Sequence, residues 1–424
     1  MFGTLRNAWR IPDLRKKLIF TMLMLLIYRI GNVIPVPYID AATLSTYFEQ
    51  TLSSTILGLY DAMSGSAFSQ ASVLALGIQP YINSSIIIQL LTIAIPALER
   101  WAKDEGEVGK KKIERLTRYT TVGLGLLLGF AYYTMLRNYE ANNLKIITND
   151  GFLPAVVIIL AFTAGSSVVM WMGEQITEFG IGNGISMILF ANIVSGLPGT
   201  FSRLLNMDWW LGLIITVVML LLVVFIVFIN DAERRIPIQY AKRVVGRKVY
   251  GGQSTNLPIK VAMSGVMPVI FAQSIVSLPA TICTFIGKTE GWAYENLFAS
   301  NTWAYVIFYG LLIFFFSWFY STIQYDPMEM SNNLKKNGGF IPGFRPGKPT
   351  ADFIKKVINK IVVFGAVYLS VVALLPLIGG KLADEVSHLA IGGTSVIIIV
   401  GVALETVKAL EAQMLMRHYK GFLD

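Results

Sequence analysis

The sequence is short of charged residues and of the residue types that build catalytic or metal sites. Asp, Glu, Lys and Arg make up 14% of the 424 residues, whereas a soluble protein usually has about a quarter. Apolar residues make up 54%, so the composition is that of an integral membrane protein. Cys283 is the single cysteine, which excludes an internal disulfide. His388 and His418 lie far apart without a cysteine nearby, so we expect no metal centre.

Catalytic motifs are also missing from the sequence. We find no nucleophile and base that would form a pair. Residues 332–349 superficially look like a phosphate-binding loop, but Pro342 replaces the first glycine and Pro349 replaces the residue that binds magnesium. The glycine-rich run from Gly180 to Gly184 follows no strand and precedes a membrane span, so it predicts a tight turn rather than a dinucleotide site. The chain is therefore predicted to be no enzyme and to hold no cofactor or metal.

Apolar runs of about 20 residues, the length that spans a bilayer, recur along the whole chain. We count ten such spans, at 18–36, 73–97, 116–136, 152–173, 182–198, 209–229, 261–286, 303–323, 357–378 and 391–408. An even number of spans places both termini on the same side of the membrane. On that side lie 29 of the 35 Lys and Arg residues. The positive-inside rule therefore predicts a multi-pass protein of a plasma membrane, with both termini in the cytoplasm.

An internal repeat divides the spans into two sets of five. The segment Gly77–Ile82 in the second span is similar to Gly265–Ile270 in the seventh, and Gly182–Ser186 entering the fifth span is similar to 392–396 entering the tenth. An odd number of spans in each half forces the halves to be inverted, and inverted repeats usually enclose the transport pathway. The predicted fold is thus an all-α polytopic membrane protein, with ten transmembrane helices in two inverted five-helix halves around a central pore.

The expected domain organisation follows from these boundaries. Residues 1–17 form a cytoplasmic amphipathic segment, 18–198 the N-terminal half, 199–408 the C-terminal half, and 409–424 a cytoplasmic tail. Two long basic loops, 230–260 and 324–356, interrupt the C-terminal half on the cytoplasmic side. The first alternates apolar and polar residues, which is typical of a hairpin strand.

The second span carries three isoleucines, Ile78, Ile82 and Ile86, spaced four apart on one helical face. Such a face either packs within the bundle or lines a hydrophobic constriction. Transporters of ions or small polar solutes usually keep ionisable residues near the midplane, and the spans at the repeat interface have none there. A ring of aliphatic side chains can only form a deformable, dewetted seal, which suits a large and extended substrate such as an unfolded chain.

Three functions are compatible with a polytopic inverted repeat: a passive protein-conducting channel, a secondary transporter of a small solute, and an intramembrane enzyme. The lack of midplane charges counts against the transporter, and the lack of a catalytic constellation counts against the enzyme. Dependence on a motor distinguishes the first two, because a solute transporter should move its solute with no motor present.

Two segments carry a family resemblance. Ser72–Leu91 and Trp171–Ile188 resemble the two signature motifs of the SecY family, the central subunits of bacterial protein-conducting translocons. The segments Arg29–Gly31, Gln253–Lys260 and Phe340–Gly347 support this resemblance. It extends along nearly the whole chain.

The resemblance implies roles that periodicity alone does not give. Residues at about 58–71 would form a plug, with Asp61, Ser64, Gly65, Ser66, Ala67 and Phe68 among them. The pore ring would comprise Ile78, Ile82, Ile86, Leu189, Ile270 and Ile398. Spans two and three against seven and eight would form a lateral gate. The docking residues in the two basic loops would be Arg235, Lys242, Arg243, Arg247, Lys248, Lys335, Lys336, Arg345 and Lys348, with Arg345 the most critical.

The implied function is passive translocation of unfolded secretory polypeptides and lateral release of transmembrane segments, driven by the SecA ATPase or the ribosome. The implied partners are SecE and SecG, SecA, the ribosome, an unfolded preprotein with its signal sequence, and membrane lipid, with no direct nucleic-acid specificity. The chain departs from the family pattern at Tyr38, where glycine is usual, in the plug at Ser64–Ala67, where a glycine pair is common, and at Leu189, which replaces a usual isoleucine. The last change nearly conserves volume.

Overall fold

The structure is a computed structural model. It describes residues 2–48, 56–138, 140–141, 144–149, 151–206, 208–240, 243–245, 248–250, 254–263, 265–285, 292, 296–297, 299, 302–382 and 393–420. Most of these residues are helical. The N-terminal helices are α1 (Phe2–Arg10), α2 (Pro12–Gly31), α3 (Ala41–Tyr47), α4 (Ile56–Ser64), α5 (Gln79–Ala94), α6 (Pro96–Lys103), α7 (Gly106–Asn138), α8 (Phe152–Phe179) and α9 (Gly184–Asn206).

The C-terminal helices are α10 (Trp209–Asp231), α11 (Met267–Phe285), α12 (Trp303–Gln324), α13 (Pro327–Lys336), α14 (Lys348–Leu382) and α15 (Gly393–Lys420). Each predicted span overlaps one of these helices. Among the described residues, six helices are long and apolar enough to cross a membrane, or seven when the bent pair α5–α6 counts as one span. The chain is therefore a mostly helical protein with several membrane-spanning helices, and the count of ten in two inverted halves stays a prediction.

The second predicted span, 73–97, differs from the helix that forms. Residues 73–78 are turns, and α5 begins only at Gln79. Gly77 has a φ of 52°, a left-handed conformation that glycine adopts without steric cost, and Pro80 lies in the first helical turn, where its missing N–H is harmless. At the other end Pro96 disfavours helical geometry at Ile95, and the chain turns through 107° into α6.

The internal repeat is visible in the backbone at one of its two positions. Gly77 and Gly265 have φ values of 52° and 61°. Each lies three residues before a proline and two residues before the first residue of a helix, α5 or α11. The same local geometry thus begins the second and seventh spans. Residue 392, which belongs to the other half of the second match, lies outside the described residues.

Three predicted boundaries do not coincide with helix ends, because helices continue past the predicted spans. The N-terminal segment predicted at 1–17 contains α1 and the first turns of α2, which begins at Pro12. The loop predicted at 324–356 holds α13 and the first turns of α14. The tail predicted from 409 continues α15 to Lys420. In each case charged helical turns extend an apolar helix, because backbone hydrogen bonding continues after hydrophobicity ends.

The two basic loops form one folded unit, which we call the loop platform: strands β3 (Glu233–Tyr240), β6 (Ser254–Lys260) and β7 (Gly339–Phe340) with α13 and the start of α14. The predicted hairpin is present, since β3 pairs antiparallel with β6 from Glu233↔Lys260 to Gln239↔Ser254. On its other edge β3 pairs with β7 from the second loop. The remaining strands form two short hairpins, β1 (Glu140–Ala141) with β2 (Leu144–Lys145) and β4 (Arg243–Val245) with β5 (Lys248–Tyr250).

A small apolar cluster holds the loop platform together, separate from the main core. Its buried members are Ile236, Ile238, Ile259, Met263, Leu334, Ile341, Ile354, Ile358 and Val362. The alternation on β3 explains this packing, because Ile236 and Ile238 point to one face while Arg235 and Pro237 are exposed on the other. Both loops therefore share one rigid base on helix α14.

Candidate functional site

The six residues of the predicted ring all lie in the main apolar core. Ile78, Ile82, Ile86, Leu189, Ile270 and Ile398 are each at most 5% exposed and belong to one continuous cluster of buried side chains. They come from the turn before α5 and from α5, α9, α11 and α15, so helices of both predicted halves contribute. The structure brings these elements together, and the role of the six residues as a pore ring stays a prediction.

Helix α4, the start of the predicted plug, lies against this cluster through Met63. The Met63 carbonyl accepts a hydrogen bond from Asn192 Nδ2 at 2.7 Å. The Met63 sulfur lies 3.2 Å from Gln79 Nε2 and 3.8 Å from Gln273 Nε2. These three polar side chains, which we call the polar collar, come from α9, α5 and α11.

The polar collar locates the ring residues relative to α4. Asn192 follows Leu189 by three residues and Gln273 follows Ile270 by three, so each pair shares a helical face. Gln79 directly follows Ile78. Leu189 and Ile270 therefore face the same axis as Met63, one helical turn away from it. Ile398 has no such link to Met63 among the described contacts, and its position is defined by the apolar cluster.

The end of α4 is fixed by two side chains at the end of α2, Arg29 in its last turn and Asn32 just after it. Asn32 Nδ2 donates a hydrogen bond to the Ser64 carbonyl at 3.1 Å, and Arg29 Nη1 donates one to the Gly65 carbonyl at 3.3 Å. These carbonyls end a helix and would otherwise lack partners. Arg29, which lies in the first predicted span, thus pairs with one backbone oxygen of the predicted plug, and an arginine at membrane depth needs such a partner.

Helix α4 ends at Ser64, in the middle of the predicted plug at about 58–71. Gly65 and Ser66 have φ values of 70° and 65°, and two consecutive left-handed residues cannot continue a right-handed helix. The Asp61 carboxylate accepts a hydrogen bond from the Ser69 N–H at 2.8 Å, which closes this turn. Ala67 and Phe68 are buried within it.

Phe68 anchors this turn to α7. Its ring stacks on Tyr132 with centroids 4.3 Å apart, and the Tyr132 hydroxyl donates a hydrogen bond to the Phe68 carbonyl. The chain on either side is held as well, because Val36 N–H donates to the Ala71 carbonyl at 3.0 Å and Val73 N–H to the Ile34 carbonyl at 2.9 Å. The predicted plug is therefore seated by many separate, individually weak contacts.

The helices of the predicted lateral gate meet along one seam, where α5 and α7 face α11 and α12. One side-chain hydrogen bond in the described part of the chain crosses from α5 to α12, from the Tyr320 hydroxyl to Gln89 Oε1. Phe271 of α11 packs against the Tyr320 ring at 5.0 Å. Across the seam α11 also lies close to α5 and α7, so the two sides are in contact along it.

The basic residues of the loop platform are exposed where they are described. Arg235 projects from β3 beside Glu233, with the Arg235 Nε and a Glu233 carboxylate oxygen 2.7 Å apart, and Lys335, Lys336 and Lys348 are exposed on α13 and α14. Arg243 and Lys248 belong to the β4–β5 hairpin, of which only the backbone is described. Lys242 and Arg247 lie outside the described residues.

Arg345 projects from a short loop with a defined shape. Gly343 and Gly347 on either side have φ values of 87° and 103°, which allow the chain to reverse direction. The Thr350 hydroxyl donates to the Arg345 carbonyl at 2.8 Å, and the Ser331 hydroxyl of α13 donates to the Gly347 carbonyl at 2.8 Å. The Arg345 backbone is therefore fixed while its guanidinium stays exposed.

Sequence reasoning missed the polar collar and the aromatic anchor. Asn192, Gln273 and Tyr132 lie within apolar spans, and the ring hypothesis concentrated on aliphatic positions. A polar residue one turn after Leu189 and one turn after Ile270 was a usable signal, since buried polar side chains need partners. Within the described residues, no three His, Cys, Asp or Glu side chains cluster as a metal site would require.

Comparison with known proteins gives one consistent family. A family model described as SecY matches residues 72–407. The protein translocase subunit SecY of Streptomyces scabiei is 43% identical over 439 residues, covering all of both chains. The subunit of the same name from Thermotoga maritima is 42% identical over 434 residues, covering all of this chain and 98% of that one.

Solved structures agree in fold. A protein-conducting channel superposes with a TM-score of 0.62 at 18% identity, covering 94% of this chain and 92% of the other. A structure of the canine Sec61 ribosome–channel complex gives a TM-score of 0.61 at 16% identity, with the same coverage. Together with the match of sequence along the whole length, these similarities show that the chain belongs to the SecY family.

Proposed function

We propose that this chain is the protein-conducting channel of a Sec translocase, which passes unfolded secretory polypeptides across the membrane and releases transmembrane segments sideways into it. Its relatives are named protein translocase subunits, so the chain is a transport protein and not an enzyme. The observation that carries the proposal is the seating of α4 and the turn after it, on the polar collar and beside the apolar ring residues.

The closed pathway has two barriers in this proposal. The six ring residues form an apolar constriction with no charge, which water enters reluctantly. The plug, residues 58–71, blocks the pathway one turn beyond the constriction. Its hydrogen bonds and ring contacts to α2, α5, α7, α9 and α11 each have a net free energy of about 0.5–1.5 kcal/mol, and Phe68 and Ala71 also lie in the main apolar core. In this proposal an arriving chain breaks these contacts as it displaces the plug.

The seam between α5–α7 and α11–α12 is the proposed lateral gate. Opening it breaks the Tyr320–Gln89 hydrogen bond and the contacts that Gln79 and Gln273 make with Met63. The plug therefore shares contacts with both sides of the gate. We infer that widening the seam and releasing the plug are coupled, because Met63 cannot keep both glutamine contacts when α5 and α11 separate.

The loop platform is the proposed docking surface for the force-generating partner. Its exposed residues Arg235, Lys335, Lys336, Arg345 and Lys348 present one sign of charge on a rigid base, which steers an acidic partner surface or ribosomal RNA phosphates towards it. Similar structures include channels bound to ribosomes. We propose the ribosome and the SecA motor as partners here, with SecE and SecG as further subunits.

The orientation follows from the charge distribution. The proposal places the loop platform, α1 and the end of α15 in the cytoplasm, because 29 of 35 Lys and Arg residues lie on this side of the predicted spans. The membrane is then a bacterial plasma membrane, crossed by ten helices in two inverted halves. The left-handed glycines that begin both α5 and α11 support that internal symmetry.

The decisive experiment is reconstitution in liposomes together with SecE and SecG. Unfolded preprotein is added outside with SecA and ATP, and protected preprotein is measured after protease treatment. We expect uptake that requires this chain, SecA and ATP together. Uptake without SecA, or none at all in correctly assembled complexes, would contradict the proposal. Release of an entrapped small solute without any motor would instead indicate a solute transporter.

A further inference from the structure

The plug presents a methionine sulfur to two buried amide groups. The Met63 sulfur lies 3.2 Å from Gln79 Nε2 of α5 and 3.8 Å from Gln273 Nε2 of α11. Both glutamines are 7% exposed, so water does not readily take the place of the sulfur. The function proposed above uses Met63 as a point of contact between the plug and the two sides of the seam, and it gives no role to the chemistry of the sulfur atom.

A thioether is a poor partner for these two amides. Its sulfur is only a weak hydrogen-bond acceptor, and a buried donor without a good acceptor destabilises the state that contains it. Gln273 is less satisfied still, because its Oε1 is buried and accepts no hydrogen bond within the described residues. A stronger acceptor at the position of the sulfur would therefore satisfy amide groups on both sides of the seam.

The backbone holds the Met63 side chain in this place. The Met63 carbonyl accepts a hydrogen bond from Asn192 Nδ2 at 2.7 Å, and the next carbonyl, that of Ser64, accepts one from Asn32 Nδ2 at 3.1 Å. These bonds come from α9 and from the end of α2, on either side of the plug. While the plug is seated, only the side-chain torsions of Met63 can change the position of its sulfur.

Met63 is also within reach of small molecules. It is partly buried and packs against the edge of the main apolar core. In the proposed orientation the chain leaves the cytoplasm through the first span, so residues 37–72 lie on the outer side of the membrane. A small uncharged oxidant that arrives from outside therefore reaches Met63 without passing the apolar ring, and displacement of the plug exposes the sulfur further.

We propose that Met63 is a site of oxidation by peroxides, and that its sulfoxide locks the plug in the seated position. A sulfur lone pair attacks one peroxide oxygen, the O–O bond breaks, and the proton on the transferred oxygen moves to the departing hydroxide, which leaves as water. The sulfur is oxidised by two electrons and hydrogen peroxide is reduced by two. This inference rests on the proposed function, because a lock has meaning only if residues 58–71 are a plug.

The surroundings of Met63 decide that oxidation tightens the seat of the plug. In an apolar core a methionine sulfoxide disrupts packing, because it places a polar oxygen among apolar groups. Here the new oxygen meets two amide donors, and at 3.8 Å from the sulfur Gln273 Nε2 leaves room for a hydrogen bond to it. Gln79 Nε2, at 3.2 Å, reaches the oxygen by a small side-chain rotation. The oxidised plug thus gains a strong acceptor for α5 and α11, which separate when the seam opens.

Amide hydrogen exchange of the oxidised complex tests the lock without any transport. The chain is assembled with SecE and SecG in liposomes, treated with hydrogen peroxide, and freed of oxidant with catalase. Mass spectrometry of the same peptides gives the oxidised fraction of Met63 and the exchange rate of residues 66–71, which reports how often the plug leaves its seat. We expect exchange about 5- to 10-fold slower after oxidation, the effect of about one net hydrogen bond gained.

Three variants assign the effect to the sulfur of Met63, each compared with its own untreated sample. Met63→Leu nearly conserves volume but cannot be oxidised, so its exchange should not respond to peroxide. Met328→Leu removes a methionine that is 47% exposed on α13, and it should respond as the parent does. Met63→Gln places an amide oxygen permanently near the two donors, so its plug should exchange more slowly than that of Met63→Leu without any oxidant.

Each other result would overturn the inference. Met63 that stays reduced while Met328 is fully oxidised would show that peroxide does not reach the plug. Unchanged or faster exchange of residues 66–71 after oxidation of Met63 would show that the sulfoxide does not lock it, and an equal response in Met63→Leu would assign the effect to another residue. Absence of preprotein uptake in the untreated complex would be a failure of the proposed function itself, and is distinguishable because oxidation and exchange are measured without transport.

Discussion

Replacing Asn192 with leucine should unseat the plug. Asn192 is completely buried and donates its two amide hydrogens to the Met63 carbonyl at 2.7 Å and to the Tyr28 hydroxyl at 2.9 Å. Leucine has a similar shape but donates neither bond. The plug-seated state alone contains the bond to Met63, whereas Tyr28 and Asn192 stay together when the plug leaves.

The size of the effect follows from that difference. The Tyr28 bond is lost equally from both states and cancels. The Met63 carbonyl becomes unpaired only while the plug is seated, and in the displaced state it faces water. Losing such a bond costs about 1 kcal/mol net, and about 3 kcal/mol if the carbonyl stays buried without a partner. A shift of 1 to 3 kcal/mol raises the population of the displaced plug about 5- to 150-fold.

Single-channel recording in planar bilayers measures this population without any substrate. The Asn192→Leu channel should open spontaneously far more often than the parent, with the same conductance when open. Thr200→Val is the matched control, because Thr200 is also buried on α9 but its hydroxyl bonds only to the Gly196 carbonyl of its own helix. If Asn192→Leu assembles normally and its resting leak equals that of Thr200→Val, the polar collar does not hold the plug.

Further expected outcomes concern the ring, the docking loop and the external turn. Ile270→Gly should raise ion leak in the same recordings by opening a gap in the ring. The control is Ile282→Gly, which has the same helix-propensity cost at a 53% exposed position on the same helix and should not raise the leak. Equal leak in both variants would exclude Ile270 from the ring. Arg345→Glu should slow SecA-driven uptake about 5- to 30-fold, a loss of about 1–2 kcal/mol of docking free energy, while assembly stays intact, and the defect should shrink at high salt; normal uptake would remove Arg345 from the docking surface. Tyr38→Gly should raise the midpoint of thermal unfolding, because Tyr38 has a φ of 69°. This backbone conformation costs about 1–2 kcal/mol for a residue with a Cβ. A lower midpoint would show that contacts of the Tyr38 ring outweigh the backbone strain. Hydrogen bonds, first from the Thr43 hydroxyl, lower the pKa of Asp40. The protection from amide hydrogen exchange that Asp40 gives the start of α3 should therefore be complete above the ordinary aspartate pKa of about 3.9. It should disappear as pH falls through the lower pKa of Asp40 in the folded protein. Amide exchange at Thr43 that is independent of pH, after correction for intrinsic rates, would contradict this.

The sequence predicted the location of the long helices because twenty-residue apolar runs have few alternatives. It also predicted the loop hairpin, since alternation on β3 is a local pattern. Gly77 and Pro80 in the sequence indicate where a helix should begin or bend, and α5 does begin at Gln79, six residues inside the predicted span; the left-handed conformation of Gly77 is visible only in the backbone. The ends of the helices that extend into the loops were not predicted, because charged residues end an apolar run without ending the helix.

The sequence predicted the buried aliphatic positions of the site but not the contacts that hold the predicted plug. The spacing of aliphatic residues such as Ile82 and Leu189 along apolar spans predicts that they are buried. The contacts of Met63 with α9 and α11 join residues more than a hundred positions apart, and no local pattern encodes them. The family resemblance named the plug, but it could not indicate that Arg29 and Asn32 hold its helix end. The pairing of β7 with β3 likewise depends on tertiary contact between two loops.

Helix α14 has a mechanical consequence beyond its place in the bundle. It begins at Lys348, three residues after Arg345, and runs without a described break to Leu382. Thirty-five residues at 1.5 Å each make a helix about 52 Å long, longer than the hydrocarbon layer of about 30 Å, with Pro376 near its far end as a point of weaker backbone hydrogen bonding. If the Arg345 loop docks a partner as proposed, a load applied to it would travel along this helix at least as far as Pro376. Its direction of pull, and not only its strength, would decide which neighbouring helices are displaced.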